Sequence, residues 1–146
     1  MRDSRVGSFG VTALALVLIV EASSLGGLAA GGDAVAAFAA AGALSRAVSP
    51  PLGRLLPYAR ADGGPGSVLS GRVSAVGALT AVVLGAGIAV ALLGRDGAVA
   101  TGAAALVALA AGIGCRLWLG GVTGDTLVAA TQVTEAVVLV VILGLR

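Results

Sequence analysis

The sequence predicts an all-α fold, a polytopic transmembrane helical bundle of roughly five spans. Two observations carry this. Of its 146 residues 58% are apolar and only 11% charged, and most of the charges fall between long apolar runs. A water-soluble globule of this size leaves much of its surface in water, yet nearly every stretch here is Ala, Val, Leu or Gly, so lipid is the matching solvent.

A helix crosses the hydrocarbon with roughly 20 apolar residues, advancing about 1.5 Å per residue through a core about 30 Å thick. On that measure the chain reads as one membrane domain, 1–146, with spans near 6–25, 34–49, 73–94, 97–115 and 126–145. The first runs from Val6 to Leu25 and carries Glu21 near its far end. The second is the weakest: Ala34 to Leu44 is Ala-rich, and Ser45, Arg46 and the breaker Pro50-Pro51 follow it. The third and fourth lie between Arg72 and Arg95 and between Asp96 and Arg116. The last, from Asp125 to Arg146, is interrupted by Gln132, Glu135 and small hydroxyl residues.

Arginine placement arbitrates on the second span, because cytoplasmic loops hold positive charge. Five spans with a cytoplasmic N-terminus put Arg2, Arg5, Arg46, Arg54, Arg60, Arg72 and Arg116 inside and leave Arg95 and Arg146 outside. Without the second span the split becomes four inside and five outside. A rival reading makes the first run a secretory signal peptide, with Arg2 and Arg5 before apolar Phe9 to Val20 and a cleavage site at Ala22-Ser23-Ser24; four membrane segments would remain. The expected location is the inner cell membrane, multi-pass, with the polar motifs cytoplasmic.

Composition also excludes functions. Nine arginines against seven acids give a net charge of +2, too small for a nucleic-acid binder. Cys115 is the single cysteine and reads as a small lipid-facing or packed residue. With no histidine and no cysteine pair, a soft-metal site is excluded, and a catalytic metal has to be a hard, oxygen-bound cation such as Mg2+.

Three polar clusters fall on the cytoplasmic side. Met1-Arg2-Asp3-Ser4-Arg5-Val6-Gly7-Ser8-Phe9-Gly10 sets an acid between two arginines just before a span; the arginines suffice as a topology anchor, and Asp3 is surplus to it. The segment from Leu44 to Arg72 carries Arg46, Arg54, Pro57-Tyr58-Ala59-Arg60 and Asp62-Gly63-Gly64-Pro65-Gly66. Guanidinium forks pair bidentately with phosphate oxygens, and a Gly-rich turn lets backbone N–H groups approach an anion. The same residues suit a plain positive-inside loop with Tyr58 at the interface, and the Gly run is no P-loop, since no Gly-Lys-Ser/Thr follows.

The third cluster, Leu119-Gly120-Gly121-Val122-Thr123-Gly124-Asp125-Thr126, leads into the last span. Thr123 or Asp125 fits as a helix cap, which leaves Glu135 unexplained. Residues 125, 128, 132 and 135 are spaced three, four and three apart, placing Asp125, Gln132 and Glu135 on one helical face, with Thr131 a turn before Glu135. Glu135 lies about 15 Å along the helix from Asp125, where a lipid-facing carboxylate is costly. It is therefore expected to face a polar, protein-lined cavity, as a cation ligand, a proton carrier or the partner of an arginine. Trp118 reads as an interface anchor, and Gly27 and Gly31 as a close helix contact.

At these clusters the chain resembles the cobalamin synthases, also called adenosylcobinamide-GDP ribazoletransferases. Residues 1–10 resemble the family's Met-Lys/Arg-Asp-Ser-Arg-Ile/Val-Gly-x-x-Gly segment, and Pro57-Tyr58-Ala59-Arg60 its Pro-Tyr-Ala-Arg loop. Gly120-Gly121-Val122-Thr123-Gly124-Asp125-Thr126-Leu127 resembles the family's lead into the final helix; Val128 departs from a usual Gly and Gln132 stands where an acid or amide is usual, while Glu135 matches a family Glu. The resemblance covers nearly the whole chain but only the family's C-terminal part, because the Asp-rich N-terminal motif has no counterpart and Met1 falls at a normally internal Met. The expectation is a fragment, a wrongly started reading frame, or one half of a split protein, inactive alone or completed by an N-terminal partner or by homo-oligomerisation.

What the resemblance implies is a Mg2+-dependent transfer. The hydroxyl of α-ribazole, or of its 5′-phosphate, attacks the cobinamide-side phosphorus of adenosylcobinamide-GDP and releases GMP. Arg5, Arg60 and Arg46 would then bind phosphates, Asp3 and Asp125 would hold the metal, and Asp125, Asp3 and Glu135 would be the catalytic acids. The competing classes are another membrane phosphotransferase, whose Asp-Gly-x-x-Ala-Arg run is not found here, and a small transporter or channel subunit with the Glu135 face lining a pathway.

Overall fold

The computed structural model describes residues 8–59 and 73–146. Among these residues six helices follow one another: α1 (Ser8–Ala30), α2 (Ala34–Ala47), α3 (Ser49–Leu55), α4 (Ala75–Leu93), α5 (Arg95–Leu119) and α6 (Gly124–Gly144). Taken together, α2 and α3 form one stretch, Ala34–Leu55, and with it five segments are long and apolar enough to cross a membrane. The chain is thus a multi-pass, all-helical membrane protein. The outward surfaces of α1, α4 and α5 are apolar, with Leu14, Ile19, Leu79, Val83, Leu106 and Leu109 all exposed, as lipid contact requires.

The segment weakest in hydrophobicity turns out to be central. Helix α2 packs against α1, α4, α5 and α6. Its Ala37, Ala40 and Ala41 are fully buried against Leu28 of α1, Ala89 and Leu93 of α4, Ala100 and Ala104 of α5, and Val138, Leu139 and Ile142 of α6. Small side chains allow backbones to approach, and in lipid such contact drives helix association. The approach to α4 is close: a Cβ on Gly85 would lie 2.7 Å from the Ala47 Cβ and 3.1 Å from the Ala43 carbonyl oxygen. Pro50-Pro51 breaks α2 as expected, but the prolines also open α3, whose first turn needs no N–H donors from them.

Two expectations about small residues resolve differently. Gly27 does pack closely, facing Leu143 of α6, whereas Gly31 lies past the end of α1 in the turn completed by Gly32 at φ +82°. Gly31 makes no helix contact of the expected kind because the helix has already stopped. Cys115 is partly buried against a second cluster of Leu52, Leu56, Val122, Leu127 and Ala130, so it is a packed residue.

At the end of the bundle away from residues 55–59 and 120–124, Arg146 lies 3.4 Å from both Asp33 and Asp96, tying the C-terminal residue to the α1–α2 turn and the α4–α5 hairpin. The α2–α4 contact predicts an asymmetry along one helix. Gly85→Leu should lower stability by roughly 1–3 kcal/mol through overpacking. Gly87→Leu, where an added Cβ meets nothing within 4 Å, should be neutral or mildly stabilising. Thermal unfolding of the two variants in detergent checks this.

Candidate functional site

The second and third polar clusters meet at one end of the bundle. The Ala59 N–H donates to the Val122 carbonyl at 2.9 Å, and the Val122 N–H donates to the Pro57 carbonyl at 2.8 Å. This short parallel bridge between Tyr58 and Val122 is the only β pairing among the described residues. Local sequence produces it. Gly120, left-handed at φ +72°, terminates α5, and Gly121 then passes so near the other loop that a Cβ there would run into the Pro57 carbonyl oxygen. Val122 is fully buried, so the bridge is anchored in the apolar cluster beneath it.

Helix α6 begins directly after this bridge. Its cap is Thr123, whose Oγ1 accepts from the Thr126 N–H at 3.2 Å while the Thr126 hydroxyl oxygen accepts from the Thr123 N–H at 2.8 Å. That reciprocal box satisfies the helix start, so Asp125 is not needed as a cap. Asp125 instead sits exposed in the first turn, beside the positive end of the helix dipole.

The expected single polar face of α6 is divided between two neighbours. Gln132 reaches α1 and donates from Nε2 to Glu21 Oε1 at 3.1 Å. Glu135 is 8% exposed and faces α2, where the Ser45 hydroxyl donates to its Oε2 at 3.2 Å and Arg46 Nη1 lies 3.6 Å away. One turn nearer the loops, the Ser49 and Thr131 hydroxyls are 2.9 Å apart. Glu135 thus faces polar protein groups and pairs with an arginine, one of the three ways expected to accommodate it. Every buried side-chain nitrogen and oxygen among the described residues has a partner. Arg46 is mostly exposed, its side chain 72% accessible, and its Nη1 turns back along α2 to donate to the Gly42 carbonyl at 3.0 Å while lying 3.6 Å from Glu135, so the pair sits within the Ala34–Leu55 stretch and not at the loop end.

Of the residues singled out from sequence, Arg46, Asp125 and Glu135 are placed by the structure, and Asp3, Arg5 and Arg60 lie outside the described residues. Among the described residues no three Asp, Glu, His or Cys side chains form a metal-binding group. Mg2+ commonly takes only one or two carboxylates, completing its shell with water and substrate phosphates, and an exposed Asp125 at the helix start suits such a ligand. Sequence reasoning missed Ser45, Ser49 and Glu21 as partners. The available signal was that an acid inside a span needs a polar group on a neighbouring helix, and Glu21 with Gln132, or Ser45 with Glu135, were the candidates.

Fold and site together define a multi-pass helical membrane protein whose polar loops are joined at one end of the bundle. The chain belongs to the cobalamin-5-phosphate synthase family, whose model matches residues 1–143. Among its curated relatives, the adenosylcobinamide-GDP ribazoletransferase of Mesorhizobium japonicum is 43% identical, aligning with 97% of this chain and 54% of its own length. That of Azorhizobium caulinodans is 39% identical over 92% of this chain and 53% of its own, and that of Klebsiella pneumoniae strain 342 is 35% identical over 98% and 58%. The chain thus spans about half the length of the curated relatives it matches. No solved structure matches it.

The bridge predicts a specific cross-link. In a Cys115→Ser background, Tyr58→Cys with Val122→Cys should form a disulfide under mild oxidation, since paired positions fall within the roughly 4.4–6.8 Å Cα range that a disulfide accepts. Adding Gly121→Val should abolish it, as read by gel mobility before and after reduction.

Proposed function

We propose that this chain supplies part of an adenosylcobinamide-GDP ribazoletransferase and works in cobalamin biosynthesis. Support comes first from the family match over residues 1–143, and second from the backbone bridge that sets the Pro57-Tyr58-Ala59 loop beside the start of α6. In the proposed reaction the ribazole hydroxyl oxygen, from α-ribazole or its 5′-phosphate, bonds to the cobinamide-side phosphorus. The diphosphate P–O bond to GMP breaks, and the hydroxyl proton passes to a base.

Each residue has a role in that scheme. Arg46, Arg60 and Arg5 bind phosphate oxygens, where planar forks offset the charge that grows on the leaving phosphate. Glu135 holds Arg46 in place as a positioning residue, consistent with its burial and its 3.6 Å contact. Asp125 and Asp3 are the proposed Mg2+ ligands, and the ion, when bound, neutralises phosphate charge. The N-terminal half that the longer relatives possess is proposed as the remaining partner, whether fused or separate.

The loop end is proposed to face the cytoplasm. Arg54 and Arg116 lie near that end, and Arg95 and Arg146 lie at the other; the sequence adds Arg2, Arg5, Arg60 and Arg72 to the loop side, the bias that orients inner-membrane proteins. A transport pathway finds no support, because Glu135 and Gln132 are engaged with Ser45, Arg46 and Glu21.

The test is reconstitution in liposomes of this chain with the N-terminal half of the Mesorhizobium relative, supplied with adenosylcobinamide-GDP, α-ribazole and Mg2+. Cobalamin product and GMP should appear together, and Asp125→Asn should reduce turnover roughly 10²–10³-fold, the scale of losing a group that stabilises transition-state charge. Undiminished turnover in Asp125→Asn would remove that residue from the mechanism.

A further inference from the structure

Along one flank of the bundle, α2, α3, α4 and α5 enclose a groove of about 470 Å³. Its walls are apolar, and it opens outward past Leu55, Leu109 and Ile113, all exposed on the lipid-facing surface. Thr101 lies toward one end and Arg116 at the other. These residues are fifteen apart on a single helix, a length of roughly 22 Å, so the mean cross-section is roughly 20 Å². A helix with its side chains is about 10 Å across and needs roughly four times that section. A single hydrocarbon chain, whose non-bonded carbon contacts lie near 4 Å, needs roughly the section available.

Charge marks one end of the slot. Arg116 is exposed in the last turn of α5 and makes no ion pair or hydrogen bond among the described residues. A smaller hollow of about 260 Å³ adjoins the groove through Pro51, Leu55 and Val82 and is lined by Arg54. No acidic side chain lines either hollow. Arginine at the end of a span snorkels to the headgroup level, where phosphate is the natural counter-charge.

We propose that this groove is a binding site for an anionic phospholipid. One acyl chain lies along α5, and the phosphate is held at Arg116 with Arg54 adding positive potential. The site bears on the loop end of the bundle: α3 forms one wall of the groove and leads straight into Pro57-Tyr58-Ala59, so an occupied groove braces the segment that bridges to Val122.

The experiment measures lipid binding to the full chain in maltoside detergent by native mass spectrometry and thermal unfolding, with phosphatidylglycerol, phosphatidylcholine or inorganic phosphate added separately. Phosphatidylglycerol should bind and raise the melting temperature; phosphatidylcholine should bind roughly fivefold more weakly, the scale of one arginine near anionic lipid. Inorganic phosphate alone should do nothing. Arg116→Gln should bring the two lipids level, and Ala108→Phe or Ala105→Leu, which fill the slot, should remove both. Arg95→Gln at the opposite end should leave binding unchanged. Equal binding of the two lipids by the wild-type chain, stabilisation by phosphate alone, or full lipid binding in both slot-filling variants would overturn the proposal. So would a dimer that the slot-filling variants dissolve, which would give the groove to a second copy.

Discussion

Hydrocarbon offers a polar group no solvent, so each one inside the bundle must find its partner within the protein, and the longest polar side chains find it on a neighbouring helix. That constraint organises the structure. Gln132 is tied to α1 through Glu21, Glu135 to α2 through Ser45 and Arg46, and Thr131 to Ser49 at the start of α3. Helix α6 is thereby tied to α1, α2 and α3, and its rotation is set by three different contacts. The partners can reach one another only because α2 is built from alanine, whose small side chains let α4 and α6 close on it.

The same fixing delivers the loops. With α6 held in register, its capped start lies where Val122 can pair with Pro57 and Ala59, and Gly121 supplies the missing side chain that the close passage demands. Below the bridge, Leu52, Leu56, Leu127 and Ala130 pack together, so the join is backed by an apolar floor. At the helix start beside it stands the exposed Asp125. Packing deep in the bundle and the geometry of the polar end are therefore linked through α6, which carries Glu135 at one depth and the capped start at the other.

Much of this was legible in the residues. The spans announced themselves by length and apolarity, and the weak second one was rescued by the distribution of arginines instead of hydropathy. What hydropathy undervalued in Ala34–Ala47 was smallness, which counts against a segment in a transfer scale and in favour of it at the centre of a bundle. The spacing of Asp125, Gln132 and Glu135 was real, yet periodicity fixes only angles about one helix and says nothing of which neighbour occupies each angle. Hence the arginine partner foreseen for Glu135 is present, while the one polar face is shared between α1 and α2. Gly31 misled for a simpler reason: small-residue spacing carries meaning only while the helix lasts, and α1 ends at Ala30.

The central claim is that residues distant in sequence present their polar groups at one end of the bundle, on one side of the bilayer. Single cysteines introduced at Ala59 and Gly124, and at Asp33 and Gly94 for the opposite end, can be labelled with a membrane-impermeant maleimide in oriented vesicles of the Cys115→Ser chain. Positions 59 and 124 should react from the same side, and 33 and 94 only from the other. Reaction of 59 and 124 from opposite sides would contradict the account.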